Sequence, residues 1–161
     1  AALALLPLGA LADENRNWVK AKGTVPEAMD RLEAAVEEAG GTIFARIDHA
    51  AAAQELGVEL TDAQLLIFGN PKLGTPVMKD NMRAGLVLPL RVLAFKDEGE
   101  TWLLYQEVVP MLDSVNVDEG VDGQEEIVDA LRALTELPVE PTKQLKVFDG
   151  PFFKRWFRTF F

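Results

Sequence analysis

The stretch that most constrains the fold is residues 65–76, where an apolar run passes directly into two proline-containing turns. Residues 65–68 (Leu-Leu-Ile-Phe) are followed at once by Gly-Asn-Pro and, two residues later, by Gly-Thr-Pro. Four apolar residues between turn formers predict a buried strand. Asn70 precedes a proline and is expected to be extended, while Thr75 and Pro76 predict the cap and the first residue of a helix.

The turn at residues 69–71, called the Asn70 turn below, can direct backbone N–H groups and the Asn70 amide toward a small ligand. The single histidine, His49, follows Asp48, and a histidine beside a carboxylate is the beginning of general-base or metal chemistry. The candidate ligand-binding residues are Asp48, His49, Asn70, Lys72 and Thr75. A structural alternative stays open, in which Asp48 caps a helix and His49 lies in its first turn. No catalytic residue and no metal ligand is assigned.

Apolar residues at helical spacing predict two longer helices. The first begins at a capping box formed by Thr24 and Glu27 and ends at Gly40. The second covers residues 124–137, and a short helix is expected over residues 50–56. These helices lie on both sides of the organising stretch in the chain.

Four further segments have strand character: residues 18–23, 42–48, 85–95 and 101–106. Pro89 inside the third segment implies an edge strand or a bulge, because proline cannot donate a hydrogen bond to the ladder. The tight turn at residues 97–100 predicts that the third and fourth segments form a hairpin. Residues 107–123 are acidic and are expected to form a loop.

Composition excludes several function classes. The 161 residues contain no cysteine, so disulfides, thiolate metal sites and cysteine nucleophiles are excluded. The formal charge of −10 is uneven: residues 97–140 carry 13 acidic side chains and one basic one, whereas residues 141–161 carry five basic and one acidic. An acidic body does not attract nucleic acid, so no nucleic-acid partner is expected. No nucleotide-binding or hydrolase motif occurs, which favours a non-enzymatic role without a cofactor.

The N-terminal segment, residues 1–12, has no polar side chain and ends in Ala10-Leu11-Ala12 before Asp13. It is too short to span a bilayer, which takes about 20 residues. A small-x-small ending after an apolar run is typical of a signal-peptidase site, so the segment is interpreted as part of an export signal. If it is retained instead, it would act as a membrane anchor. Both interpretations place the domain on the periplasmic side of a membrane.

The aromatic tail, residues 148–161, holds seven of the 13 aromatic side chains of the chain. Six of them recur at positions i, i+1, i+4, i+5, i+8 and i+9, on one helical face, with three basic residues mostly on the other. The aromatic set is Phe152, Phe153, Trp156, Phe157, Phe160 and Phe161, and the basic set is Lys154, Arg155 and Arg158. Such faces are typical of a helix at a membrane surface. Docking on a partner protein, or folding back on the domain, remain alternatives.

Four ordered blocks carry a resemblance to a known family. The blocks are residues 44–50 (Phe-Ala-Arg-Ile-Asp-His-Ala), 66–71 (Leu-Ile-Phe-Gly-Asn-Pro), 74–76 (Gly-Thr-Pro) and 88–90 (Leu-Pro-Leu). In these blocks the chain resembles the bacterial and archaeal family called domain of unknown function 302, over roughly residues 15–108. The resemblance implies a small α+β domain that often self-associates and has no assigned activity, so a homodimer is one expectation.

Together these features predict an α+β fold, a small mixed or antiparallel sheet with helices packed on it, followed by an extra C-terminal helix and an aromatic tail. The expected parts are a signal-like segment (1–12), a family-like domain (13–108), an acidic loop and helix (109–140), and a linker with the amphipathic tail (141–161). The expected function is that of a non-enzymatic exported domain at a membrane surface, an accessory subunit of a larger membrane protein complex attached through its tail. The alternative is a free periplasmic protein that binds a small ligand or metal through the Asn70 turn with Asp48 and His49.

Overall fold

The structure, a computed structural model, describes residues 16–136, which form a five-stranded antiparallel sheet with helices packed on it. The strands are β1 (Arg16–Ala21), β2 (Thr42–Asp48), β3 (Ala63–Gly69), β4 (Leu90–Asp97) and β5 (Glu100–Gln106). The helices are α1 (Val25–Glu38), α2 (His49–Glu55), α3 (Pro71–Asp80), α4 (Val108–Asp113) and α5 (Gln124–Glu136), with a 3₁₀ helix at Met82–Leu86. The predicted α+β fold is confirmed.

The strands lie in the order β1-β5-β4-β3-β2, and every neighbouring pair is antiparallel. The predicted hairpin is β4–β5, in which Asp97 pairs with Glu100. Between them Glu98 and Gly99 adopt φ angles of 49° and 84°, as a two-residue hairpin turn requires. Because β3 is an interior strand, the Asn70 turn at its end is held in place by strands on both sides.

Helix α1 forms where its first turn is capped and its apolar residues recur on one face. The Thr24 N–H donates to Glu27 Oε2 at 2.8 Å, and the Glu27 N–H donates to Thr24 Oγ1 at 3.4 Å, so the predicted capping box is present. The buried residues of the helix are Val25, Ala28, Met29, Leu32 and Val36. Their spacing of three and four directs one face of α1 onto β2, β3, β4 and β5.

The sheet has one covered face and one open face. Along β5, Leu103 and Tyr105 are buried in the core, whereas the alternating residues Trp102 and Leu104 are only half-buried. The single core joins the covered face to α1, α4 and α5. Among the residues that the structure describes, the other face stays partly accessible, since Trp18 on β1 is 53% exposed.

Helix α3 begins earlier than the sequence pattern predicts. Thr75 and Pro76 are expected to start the helix, but it starts at Pro71 and contains Pro76 in its interior. Asn70 is the cap, extended as expected with φ −123° and ψ 113°, and its Oδ1 accepts from the Lys72 N–H at 3.0 Å. Pro71 already has the φ of a helix and needs no N–H partner in the first turn. The prediction for Asn70 is therefore confirmed, and the prediction of Thr75 as cap is wrong.

Two further segments differ from expectation. The strand predicted over residues 85–95 begins only at Leu90, because the 3₁₀ helix occupies its first residues and Pro89 lies before the ladder. With Pro89 outside it, β4 can occupy an interior position, so the expectation of an edge strand or bulge is wrong. The stretch expected to be a loop contains α4, which forms because its apolar residues reach the core. These residues are Val108, Met111 and Leu112.

Candidate functional site

A cavity lies beside the Asn70 turn, where the C-terminal end of α1 and one face each of α3 and α5 meet the end of β3. Its volume is about 240 Å³. Residues 88–90, which lead into β4, complete its wall. Several lining residues are partly exposed, so the cavity opens to solvent.

Small residues on facing elements leave this space open. They are Ala39, Gly41, Gly69, Gly74 and Ala130. A Cβ built on Gly74 would have Leu88 Cδ1 as its nearest neighbour, at 3.8 Å, so there is room beside this residue. Because protein interiors leave few voids larger than a water molecule, a space of this size is a candidate binding site.

The lining is apolar except at the Asn70 turn and the first turn and a half of α3. Among the described residues that line the cavity, Asn70 and Thr75 have polar side chains and none is charged. The Asn70 Oδ1 atom accepts the capping bond, which makes no use of its Nδ2 donors. This lining suits an apolar molecule with one hydrogen-bonding end better than it suits an ion.

Phe44 borders the cavity because β2 contains a bulge. The ladder pairs Ile43 and Ala45 with consecutive residues of β3, so Phe44 is an extra residue. Its side chain is 57% exposed and packs near Gly69, whose added Cβ would be 3.5 Å from Phe44 Cε2. The bulge places this ring at the exposed rim of the cavity.

Asp48 caps α2 at the opposite end of β2. Its Oδ1 accepts from the Ala51 N–H at 2.9 Å, and its Oδ2 accepts from Gln64 Nε2 at 2.9 Å. Both carboxylate oxygens are therefore engaged within the domain. His49 is the first residue of α2 and is exposed. This arrangement agrees with the structural alternative for these two residues.

Gln64 extends this hydrogen bonding to Arg46 and α1. Arg46 Nε donates to Gln64 Oε1 at 2.9 Å, and its Nη1 donates to Asp30 Oδ1 at 2.6 Å and to Glu33 Oε2 at 2.9 Å. Burial alone would lower the pKa of Arg46, but its hydrogen bonds to Asp30 and Glu33 raise that pKa above its ordinary value. The guanidinium thus stays charged and ties α1 to the sheet.

The five candidate ligand residues are not brought into one site. Asp48 pairs with Gln64 at one end of the β2–β3 ladder, whereas the Asn70 turn follows the other end of β3. At about 3.4 Å per residue, the length of β3 between them is about 17 Å. Asn70 and Thr75 share the cavity, and Lys72 is not among its lining residues.

Within residues 16–136, no three His, Asp or Glu side chains are grouped closely enough to hold a metal ion. In the same part of the chain, no helix combines the length and the apolar character needed to cross a bilayer. The predicted attachment residues of the aromatic tail, and the N-terminal segment, lie outside the described residues.

The open face presents an apolar centre that crosses the sheet. Its middle row, one residue from each strand, is Trp18, Leu104, Leu93, Leu65 and Ile47. The row beside it is Lys20, Trp102, Phe95 and Ala63. The rings of Trp18 and Phe95 contact edge to face, with centroids 5.2 Å apart. Aromatic side chains therefore lie on both central rows, outside the core.

Charged residues of opposite sign flank this centre. Arg16 and Arg91 lie at one end of the strands, and Asp97 and Glu100 lie at the other. Glu100 forms an ion pair with Lys20 at 3.0 Å. The open face is thus an apolar band between a basic edge and an acidic edge.

Comparison with protein families decides the classification. The model of the family described as "Domain of unknown function DUF302" matches residues 18–137. The chain belongs to the DUF302 family. The resemblance found in the sequence is confirmed, and the match continues past residue 108 through α4 and α5.

The DUF302 fold is also seen in a crystal structure of an uncharacterized conserved protein DUF302 from Bacillus stearothermophilus. The two structures superpose with a TM-score of 0.70 at 20% sequence identity, over 76% of this chain and 97% of the other. At this identity the likeness is evidence for the fold alone.

Three Brucella proteins are similar to this DUF302 chain in sequence. The fluoride-specific ion channel FluC 1 of Brucella suis is 39% identical over 98 residues, which are 60% of this chain and 39% of that protein. FluC 1 of Brucella abortus and FluC 2 of Brucella melitensis are also 39% identical over 98 residues, which are 36% of each. The chain therefore spans less than two fifths of the length of these relatives.

Sequence reasoning identified two cavity residues of this DUF302 domain, Asn70 and Thr75, and missed its walls. Gly74 and Ala130 lie on different helices, and only the packing of those helices shows that both face one space. A small residue on an otherwise apolar helical face is the signal that could have found them. The open face was also missed, because the run at residues 65–68 does not reveal that Leu65 and Ile67 leave the core.

Proposed function

We propose that this DUF302 protein is a non-enzymatic interaction domain that acts as an exported accessory subunit at a membrane surface. The observation that carries the proposal is the open face, where Trp18, Trp102 and Phe95 lie among aliphatic side chains outside the core. A contiguous exposed apolar patch on a folded domain marks an interaction surface. Aromatic residues are enriched at such surfaces.

The partner that the open face fits is a second copy of the same domain. In a twofold pairing of two such faces with opposed strand directions, the basic edge of one copy meets the acidic edge of the other. Arg91 and Asp97 lie on the open face at opposite ends of β4, about 20 Å apart. The apolar rows lie between them and would form the centre of the interface.

In this proposal the N-terminal segment directs export, and the aromatic tail attaches the protein to the membrane. Support comes from composition: the N-terminal segment is apolar throughout, and the aromatic tail combines aromatic with basic residues. The open face would pair two copies, and the tail would bind a membrane surface or a membrane protein complex on the periplasmic side.

Channel activity is not part of the proposal. The similarity to the FluC proteins covers less than two fifths of their length, and no described helix of this chain can span a membrane. A combined ligand site at Asp48, His49 and Asn70 also lacks geometric support, because about 17 Å of strand separates its parts.

Native gel migration of the full chain from gently solubilised membranes, with mass spectrometry of the co-migrating proteins, tests this proposal. We expect the chain to migrate with a larger assembly. A chain of equal length in which the six aromatic residues at 152–161 are replaced by serine should leave the membrane fraction.

Serine replacement of Leu56 and Leu86 provides the matched control, because these residues are 82% and 80% exposed and lie outside the open face. This control should stay attached. Migration of the natural chain alone, or its absence from membranes, would contradict the proposed function.

A further inference from the structure

We propose that the cavity beside the Asn70 turn binds a small uncharged molecule with an apolar body and one hydrogen-bonding group. The proposal rests on the size of the cavity, its apolar lining, and the positions of Asn70 and Thr75. It does not depend on the proposed function, because the cavity and the open face lie on different sides of the sheet.

The size of the cavity is that of a small organic molecule. Its volume is about 240 Å³, and an engineered apolar cavity of about 150 Å³ in another protein stays dry and binds benzene. The space can therefore hold an aromatic ring or a short acyl chain. The exposed ring of Phe44 at its rim marks the side from which a ligand can enter.

The apolar walls of the cavity favour a ligand whose main part is apolar. The apolar lining includes Leu73, Met78, Leu88 and Leu134, together with Ile127 and Pro89. Water molecules in such a space would find few hydrogen-bonding partners on its walls, where Asn70 and Thr75 supply the polar side chains. An apolar ligand gives up no hydrogen bonds when it enters this space, and it removes its own apolar surface from water.

The polar end of the cavity limits the ligand to one hydrogen-bonding group without charge. Asn70 offers amide donors beside its capping oxygen, and Thr75 offers a hydroxyl group. Within residues 16–136 no charged side chain lines the cavity, so an ion would lose its hydration without gaining a counter-charge from this part of the chain. A hydroxyl or carbonyl group on an alkyl or aromatic body satisfies both conditions.

Titration of the full chain with 1-octanol tests the site, followed by calorimetry and by the amide signals in nuclear magnetic resonance spectra. We expect saturable binding, with the largest changes at Gly41, Gly69 and Gly74. Octanoate has the same chain length but carries a carboxylate, and we expect its affinity to be at least about tenfold lower than that of 1-octanol.

Matched variants on α5 show where the ligand binds. Ala130 lines the cavity and Ala133 does not, although both are half-buried. We expect Ala130→Phe to weaken 1-octanol binding about tenfold or more, because its ring occupies the space, and Ala133→Phe to leave binding unchanged. If Ala130→Phe does not fold, Ala39→Leu fills the cavity from the end of α1, with the exposed Ala34→Leu as its control.

Several results would overturn the proposal. One is the absence of saturable 1-octanol binding, and another is equal affinity for octanoate. Binding that survives the cavity-filling variants, with changes at Trp102 and Leu104 instead, would place the ligand on the open face and reject the cavity as the site.

Discussion

Asp48 and Glu27 each accept a hydrogen bond from a backbone N–H group at the start of a helix. Asp48 accepts from the Ala51 N–H at the start of α2, and Glu27 accepts from the Thr24 N–H at the start of α1. The first N–H groups of a helix have no partner inside it, so such side chains complete the first turn. The carboxylate next to His49 therefore has a local structural explanation.

The pH dependence of stability follows from Glu27. Hydrogen bonds with Thr24 lower the pKa of the Glu27 carboxyl below its ordinary value of 4.5. The bond from the Thr24 backbone N–H has the largest effect, followed by the bond with the Thr24 side chain. A lowered folded-state pKa means that the ionised carboxylate stabilises the fold at neutral pH, and that this contribution is lost as pH falls through the lowered pKa. We expect the natural chain to lose more unfolding free energy than Glu27→Gln does when the pH is lowered from neutral to below 4.5.

Urea unfolding at a series of pH values measures this difference. Glu38→Gln is the matched control, because Glu38 is exposed in the last turn of the same helix and lies outside the capping box. It leaves the capping box in place, so the loss of unfolding free energy at low pH should persist in this variant. An identical pH dependence for Glu27→Gln and the natural chain would contradict the assignment.

At the scale of elements, close approach of backbones fixes how α5 packs. Gly123 precedes α5 with φ +90°, and a Cβ built on it would lie 2.7 Å from the carbonyl oxygen of Leu73 on α3. Both the left-handed conformation and this contact require glycine. Since residues of α3 and α5 both line the cavity, this close approach also holds two parts of the cavity wall together.

Substitution of Gly123 by alanine should therefore destabilise the fold for two reasons. Gly120 allows the two reasons to be measured separately, because it has a similar φ of +80° but no atom lies within 4 Å of a Cβ built on it. We expect Gly120→Ala to cost about 1–2 kcal/mol from its backbone conformation alone. Gly123→Ala should cost at least about 1 kcal/mol more, through the contact with α3. Denaturant unfolding of both variants measures the difference, and equal losses would exclude the close approach as a cause.

At the scale of the whole molecule, the two faces of the sheet differ in burial. The covered face holds the core, with Leu66, Val92 and Leu103 fully buried. The open face leaves apolar surface accessible between opposite charges, and burying it against a second copy would remove that surface from water. In the proposed pairing, the charge pattern would fix the relative direction of the two copies.

A charge exchange on β4 tests the pairing of two copies. Arg91→Glu or Asp97→Arg alone should weaken self-association by roughly tenfold, because each places like charges opposite one another at positions 91 and 97 of the two paired copies. The double variant restores one basic and one acidic edge and should recover the affinity of the natural chain. Sedimentation velocity over a range of protein concentrations measures all three.

The control for this exchange is the pair Arg83→Glu and Asp80→Arg, which changes exposed charges outside the open face. It should leave self-association unchanged. A natural chain that stays monomeric at every concentration, or a double variant weaker than both single ones, would contradict the pairing.

Local chemistry in the sequence was sufficient for the parts of the fold that depend on near neighbours. The capping box at Thr24 and Glu27, the boundaries of β2 and the extended Asn70 all follow from residues within a few positions of one another. The blocks around the Asn70 turn were also sufficient for the family, which its model confirms. Export and membrane attachment stay predictions.

The start of α3 shows where local chemistry becomes ambiguous. Asn70-Pro71 and Thr75-Pro76 are both a capping residue followed by proline, and either pair could begin a helix. The first pair is used because β3 ends at Gly69, and the chain must turn there. The pairing of β3 with β2 and β4, which involves residues far away in the sequence, therefore determines which pair begins α3.

Tertiary packing alone decided the features on which the two proposals rest. The cavity depends on small residues of α1, α3 and α5 meeting at one place, and the open face depends on the packing of α1, α4 and α5 on the opposite side of the sheet. The strand length between Asp48 and Asn70 separates two groups that look like one site in the sequence. These outcomes are set by contacts between distant segments, and hydrophobic periodicity within a single segment carries no information about them.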